Sequence, residues 1–440
     1  MDDQGTVARG DLLIDGSRIA ALGDGVSAAL AALPGGAAER IIDAIGAFVL
    51  PGFVHAHIHL CQTLFRGTAE QADLLHWLRE SIWPMEAAHT EASLAASAEL
   101  SIAQLLAGGV TCINDMGTVH HTHVIGDVLE RTGLRAIFGK ALMDQGDGVP
   151  PGLRDTTAHA IEESVALAER WHGAAAGRLR VSLAPRFILS CSDALWDGVR
   201  RVSDERDLIV HTHLSESPGE GQAVQAAVKT TAPRYFARHG LLGPRFIAAH
   251  GVWLDESELD LIERADAALV HCPSANFKLG SGLADVREWK DRGIRCGLGA
   301  DGAPCNNRLD TFHEMSLASH VARVTRPGRH LSAREVLALA TRDGARALGL
   351  GETGRLEPGL RADVTLIDHT GCHLAPHATH DPYTTIVQTC HASDVALTVV
   401  DGRVLYERGR FATLDIDRVR ENALREGAAL LARARKERAA

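Results

Sequence analysis

None of the eight cysteines, at 61, 112, 191, 272, 296, 305, 372 and 390, pairs with another in a Cys-x-x-Cys spacing. Several sit in strand-like apolar runs, where a free thiol behaves as a small hydrophobe. A reduced, cytoplasmic protein is the simplest reading. Excess positive charge is also missing. Asp and Glu number 56 against 45 Lys and Arg, a net charge of −11. Phosphate binding needs a basic surface, so no nucleic-acid partner is expected. No uncharged apolar run is long enough to span a membrane, and no membrane partner is expected. The opening residues, MDDQGTVARGD, have neither a basic nor an apolar signal region, so a signal peptide is not expected. No low-complexity linker or internal repeat stands out. No GxGxxG follows the first strand-like run, which weighs against a dinucleotide-binding sheet. What is abundant is histidine, with 23 residues in 440.

That length suits a barrel of roughly 250–300 residues with something appended. Eight β-like runs recur with helical stretches between them. The first is FVLPGFVHAHIHL, ending at Leu60, and the others are 109–117, 135–143, 180–189, 208–216, 245–253, 267–275 and 295–303. Between them lie stretches such as EASLAASAELSIAQLLAGG and ESELDLIERAD, with apolar residues at helical spacing. Strand alternating with helix eight times predicts an α/β fold, a (β/α)8 barrel, over 51–350. The ends read differently. DLLIDGSRIAALG, GRLEPGLRADVTLID and VALTVVDGRVLYERG look like short strands, two of them hairpins around Asp-Gly. They predict a β-sandwich built from 1–50 and 351–440, with a charged surface helix from about Asp415.

The histidines fall on this map at one rim. His55, His57 and His59 alternate along the first strand, so they share a face. His211 and His213 end the fifth strand, with Glu216 just beyond; His250 ends the sixth and Asp301 the eighth. Barrel active sites form at the C-terminal ends of the strands. A single strand-end histidine is more often structural than a ligand, but the joint pattern offers imidazole and carboxylate from separate strands, a set suited to a divalent transition metal. Burying so many such groups with neither metal nor substrate would carry a desolvation cost.

PGFVHAHIHL, HTHLSES, AHGVWL, HCPSANFKLGSG and GLGADGAPCNN resemble the amidohydrolase superfamily, in its branch of aminohydrolases and chlorohydrolases. That branch includes guanine deaminase, adenosine-type deaminases and triazine hydrolases. The resemblance covers nearly the whole chain. It implies a metal held by His57, His59, His213 and Asp301, with Glu216 shuttling protons, Asp301 taking the water proton and His250 orienting the attacking group. It implies one divalent ion, Zn2+ with Fe2+ as the alternative, because the lysine that bridges two metals in related barrels is absent from RVSLAPRFIL. A homo-oligomer is expected. His55 stands where the family has Asn or Asp and is taken to support the ligands rather than bind. His120, His121 and His123 read as a solvated loop, and Lys140 as structural or substrate-facing.

The ring is read less sharply. Gln62, Arg186 and Phe187 are similar to the base-binding residues of guanine deaminase, and an amide and a guanidinium can grip an amidine edge and a ring carbonyl. Glu86, in IWPME, stands where adenosine-type deaminases hold ribose hydroxyls. The expected activity is hydrolytic deamination of an amino-substituted heteroaromatic ring, a guanine-like oxo-purine or pterin favoured. The alternatives are an adenosine-type deaminase, a triazine amino- or chlorohydrolase, and a decayed barrel serving as a binding scaffold.

Overall fold

In the computed structural model of the chain, which describes residues 4–33, 35–70, 73–376 and 381–437, the first hairpin forms as its turn residues dictate. β1 (Leu12–Asp15) pairs antiparallel with β2 (Arg18–Leu22) across Gly16 and Ser17. The next apolar run is two strands rather than one. β3 (Ala47–Pro51) leaves the barrel and pairs with a strand near the other end of the chain, and only β4 (Phe53–His59) enters the barrel. The break falls at Gly52, where a Cβ would lie 2.1 Å from the Thr111 side chain. Only glycine fits at so close an approach.

The barrel strands follow in order: β5 (Val110–Asp115), β6 (Arg135–Leu142), β7 (Leu179–Pro185), β8 (Val210–Leu214), β9 (Phe246–His250), β10 (Ala268–His271), β11 (Arg295–Leu298) and β12 (Asp301–Gly302). Every neighbouring pair is parallel, in the order β11-β10-β9-β8-β7-β6-β5-β4-β12. β11 and β12 are one run interrupted at Gly299-Ala300. Because Asp301 pairs with Ile58 and Gly302 with His59, the sheet closes on itself as an eight-stranded barrel. Helices between the strands start at side-chain caps, as at Thr90 before Glu91–Ala107 and Asp255 before Glu256–Arg264, both complete capping boxes. Their apolar faces bury Leu94, Ile102, Trp196 and Trp289 against the strands.

The separate antiparallel sheet has the order β16-β15-β14-β13-β3, from β13 (Val364–Asp368), β14 (Val395–Val400), β15 (Arg403–Glu407) and β16 (Arg410–Phe411). β14 and β15 are joined by Asp401 and Gly402, both at positive φ (52° and 78°), the turn that matches strand twist. Ile19 of β2 packs with Val364, Leu366, Leu397 and Val399, so the first hairpin covers one face of this sheet. Arg135 of the barrel ties on to it, with Nε 2.6 Å from Asp363 Oδ2 and Nη2 3.0 Å from Asp401 Oδ1. The C-terminal helix, Ile416–Glu437, differs from the expected surface helix. It buries Val419, Leu430 and Ala434, and Arg433 donates to the Ala88 carbonyl. Among the described residues no helix is long and apolar enough to cross a membrane.

Candidate active site

The period-two alternation of β4 sends His57 and His59 to one side, and both are buried. The strand pairing that closes the barrel sets Asp301 beside them, with Oδ1 3.2 Å from His57 Nε2 and 3.3 Å from His59 Nε2. His213, from β8, brings its Nε2 to 3.3 Å from His59 Nε2. These four residues each offer a donor atom, and all four atoms lie within 4.8 Å of one another.

A backbone hydrogen bond fixes which nitrogen of His213 is bare. His213 Nδ1 is 2.7 Å from the Arg186 carbonyl, which can only accept, so Nδ1 carries the proton and Nε2 its lone pair. His57 Nδ1 is 2.9 Å from His211 Nε2, while His57 Nε2 is buried with no hydrogen-bond partner. Bare imidazole nitrogens gathered on one carboxylate oxygen fit a divalent cation. Burial lowers His57 to about 4 and drives His213 well below the usual imidazole range. Burial alone would raise Asp301, but the adjacent His57 and His59 hold it well below the carboxylate range. Neutral imidazoles and an ionised carboxylate are the forms that bind metal.

Next to this cluster stand Glu216 and His250. His250 Nε2 is 3.4 Å from Glu216 Oε2 and 3.9 Å from Asp301 Oδ2. Its Nδ1 lies 3.0 Å from Asn276 Oδ1, which keeps the ring turned. Ser281 Oγ is 3.3 Å from Glu216 Oε1, and burial, with Asp301 nearby, raises the Glu216 carboxyl well above its usual range. A carboxyl whose protonated form is favoured by burial is suited to moving a proton.

His59, Gln62, Arg186, Phe187, Glu216 and Asp301 line one cavity, closed on its apolar side by Leu74, Trp77, Leu78 and Leu279. The three polar residues expected to read the substrate meet, but they bind each other. Arg186 Nη1 is 2.5 Å from Glu86 Oε2, and Gln62 Nε2 is 2.7 Å from Glu86 Oε1. The guanidinium expected to grip a ring carbonyl is therefore engaged by a carboxylate. Burial opposes charge on Glu86, yet Arg186 holds its carboxyl below the usual range. The Gln62 amide oxygen approaches Gly302 so closely that a Cβ there would sit 1.9 Å from it.

The remaining histidines separate from the site. His55 Nε2 lies 3.0 Å from Thr311 Oγ1, outside the four-donor cluster. His121 and His123 stand 3.6 and 3.3 Å from Glu91 and are part exposed. Lys140 is buried and pairs with Asp155 at 3.0 Å and Glu163 at 2.5 Å, away from the cavity lining. His211, Asn276 and Ser281 had no assigned role in the sequence. The last two lie in HCPSANFKLGSG, whose length marked it out while no single residue in it did.

The sequence pattern described as the amidohydrolase family matches residues 48–405. The chain is 35% identical to a 5'-deoxyadenosine deaminase of Methanothermobacter thermautotrophicus, covering 96% of this chain and 95% of that one. It is 35% identical to a 5-methylthioadenosine/S-adenosylhomocysteine deaminase of Haloarcula marismortui, over 89% of each. An adenosine deaminase from Xanthomonas campestris, solved with bound zinc, superposes with a TM-score of 0.89 at 28% identity, covering 96% of this chain and 93% of that one. Guanine deaminase of E. coli superposes at 0.81 with 28% identity, covering 90% and 93%.

Proposed function

We propose, from the premise that this chain belongs to the amidohydrolase family, that it deaminates the purine ring of an adenosine-type nucleoside by hydrolysis. It is a hydrolase acting on C–N bonds. The observation that carries the deaminase reading is the cluster of His57, His59, His213 and Asp301 beside Glu216 and His250, with His59, His213, Glu216 and Asp301 lining one cavity.

His57, His59, His213 and Asp301 would hold a divalent ion, zinc by its presence in the Xanthomonas campestris relative. Such an ion, when bound, lowers the pKa of a water toward ~7 and makes hydroxide available at neutral pH. The chain's own groups handle the protons. Asp301 Oδ2, facing His250 Nε2 at 3.9 Å, accepts the proton of the attacking water. Glu216, whose burial favours the protonated form, delivers a proton to the ring nitrogen. His250, its ring held by Asn276 Oδ1 through Nδ1, presents Nε2 toward the attacking oxygen and orients it. A C–O bond forms, the water proton held by Asp301 passes to the amine as the exocyclic C–N bond breaks and ammonia leaves, and the proton of the added hydroxyl returns to Glu216.

The adenosine-type reading is favoured over the oxo-purine one by the pairing of Arg186 with Glu86 and by the kinship with nucleoside deaminases. Glu86 keeps lone-pair capacity for a hydroxyl donor, since a carboxylate has about four acceptor positions. A ribose diol suits that acceptor, and a bare oxo-base does not use it. The test is ammonia release from 5'-deoxyadenosine, methylthioadenosine, S-adenosylhomocysteine, adenosine and guanine with one enzyme preparation. Turnover of the nucleosides and not of guanine is expected. Turnover of guanine with the nucleosides untouched would overturn the assignment.

A further inference from the structure

We propose that His373, His391 and Asp394 form a second metal site, for a divalent transition-metal ion, on the terminal antiparallel sheet and separate from the barrel. His373 sits in the 3-10 turn Cys372–Leu374 after β13. Asp394 closes the turn Ala392–Asp394 before β14, with His391 at its start. Each offers a donor atom, and the three atoms lie within 4.8 Å of one another. His373 Nε2 is 3.0 Å from Asp394 Oδ2, and His391 Nδ1 is 4.0 Å from the same oxygen.

The arrangement is held rather than loose. Asp394 Oδ2 accepts from the His391 backbone N–H at 2.8 Å, which fixes the carboxylate. The two imidazoles stack, with centroids 5.0 Å apart and planes inclined by 24°. The His373 ring folds back over Gly371, where a Cβ would sit 2.8 Å from ring Cε1. Glycine at that position leaves the ring its place. A histidine–aspartate hydrogen bond explains His373 alone. The His391 ring is seated by a capping box, its side chain accepting from the Asp394 backbone N–H, and the stack sets both imidazoles beside one carboxylate.

Two imidazoles and a carboxylate select zinc, nickel, cobalt or copper over magnesium or calcium, which prefer all-oxygen sets. The imidazoles are exposed, His373 by 36% and His391 by 63%. Desolvation therefore does not oppose binding, and water can complete the coordination. The sequence around them points the same way. Positions 369, 373, 377 and 380 are all histidine, the last two outside the described residues, and short histidine-rich tracts are a metal-binding composition.

The experiment titrates the enzyme, already loaded with the ion its turnover requires, with Ni2+ by calorimetry. Wild type, His373→Ala and His391→Ala are compared, and each is assayed for ammonia release. Wild type should bind one further ion per chain, reversed by chelator, and its melting temperature should rise with Ni2+ because the ion binds the folded state. Both variants should lose that ion and that rise while keeping wild-type turnover, which certifies their fold. His391→Gln supplies the same comparison if an alanine variant misfolds. No further ion on wild type, or equal uptake by the variants, overturns the proposal.

Discussion

The guanidinium of Arg186 faces the carboxylate of Glu86 with two contacts, Nη1 to Oε2 at 2.5 Å and Nη2 to Oε1 at 3.3 Å. Both side chains are buried, at 5% and 4% exposure. Removing one member of a buried pair strands the other charge, at a cost of about 3–5 kcal/mol. Arg186→Ala and Glu86→Ala should each lower the urea midpoint accordingly. On a nucleoside, Glu86→Ala should also lose at least about tenfold in kcat/KM, one hydrogen bond to a charged group being about 1.5–3 kcal/mol. Unchanged midpoints in both variants would mean that the pair does not persist in solution.

His211 touches no proposed substrate position, yet its Nε2 is 2.9 Å from His57 Nδ1. Partners of this kind set the tautomer of a ligand, and their loss typically reduces metal affinity by about 10–100-fold. His211→Phe should therefore need more Zn2+ to restore turnover to the chelator-stripped enzyme, while reaching a similar maximal rate at saturation. A titration superimposable on wild type would show that His57 needs no such partner.

Glu216→Gln keeps the shape of the side chain and removes the proton. Metal content at the barrel rim should be unchanged, and kcat should fall by about 10²–10⁴-fold, the range for a positioned acid–base group. Near-wild-type turnover in the metal-loaded variant would take Glu216 out of the reaction.

Glu314 makes one contribution to the pH dependence of stability. Burial, opposed by hydrogen bonds from Ser274, raises its carboxyl from 4.5 to about 8. The folded state thus holds a proton that the unfolded chain has released. That contribution is complete below about pH 4.5 and is lost as pH rises through about 8. Glu314→Gln mimics the protonated form at every pH. Its urea stability relative to wild type should grow as pH is raised across that window. A difference that stays constant with pH would place the carboxyl outside the titrating range.

Much of this was legible before any coordinates. The eight barrel runs, both Asp-Gly hairpins and the four clustered donors depend on local spacing and turn chemistry, which a sequence displays directly. The split of Ala47–Leu60 into two strands was not read from the run itself, although it falls at Pro51-Gly52, because the partner of its first half, β13, is distant in sequence. The partners of Arg186 were also hidden. A guanidinium at a strand end can face a ligand or a neighbour, and the 100 residues between it and Glu86 carry no signal of which. His211 was visible beside His213 but its role needs the ring of His57, brought from another strand.

Asp301 and Gly302 of β12 meet Ile58 and His59 of β4 through only two residue pairs. That short seam joins the first strand of the barrel to the last, across some 240 residues of intervening chain. Closing so long a loop carries an entropic cost that few local contacts there offset. Yet His57, His59 and Asp301 stand on either side of it. An ion held between them would act as a rivet across this joint of the cylinder, so the chemistry of the site and the closure of the fold depend on the same few atoms.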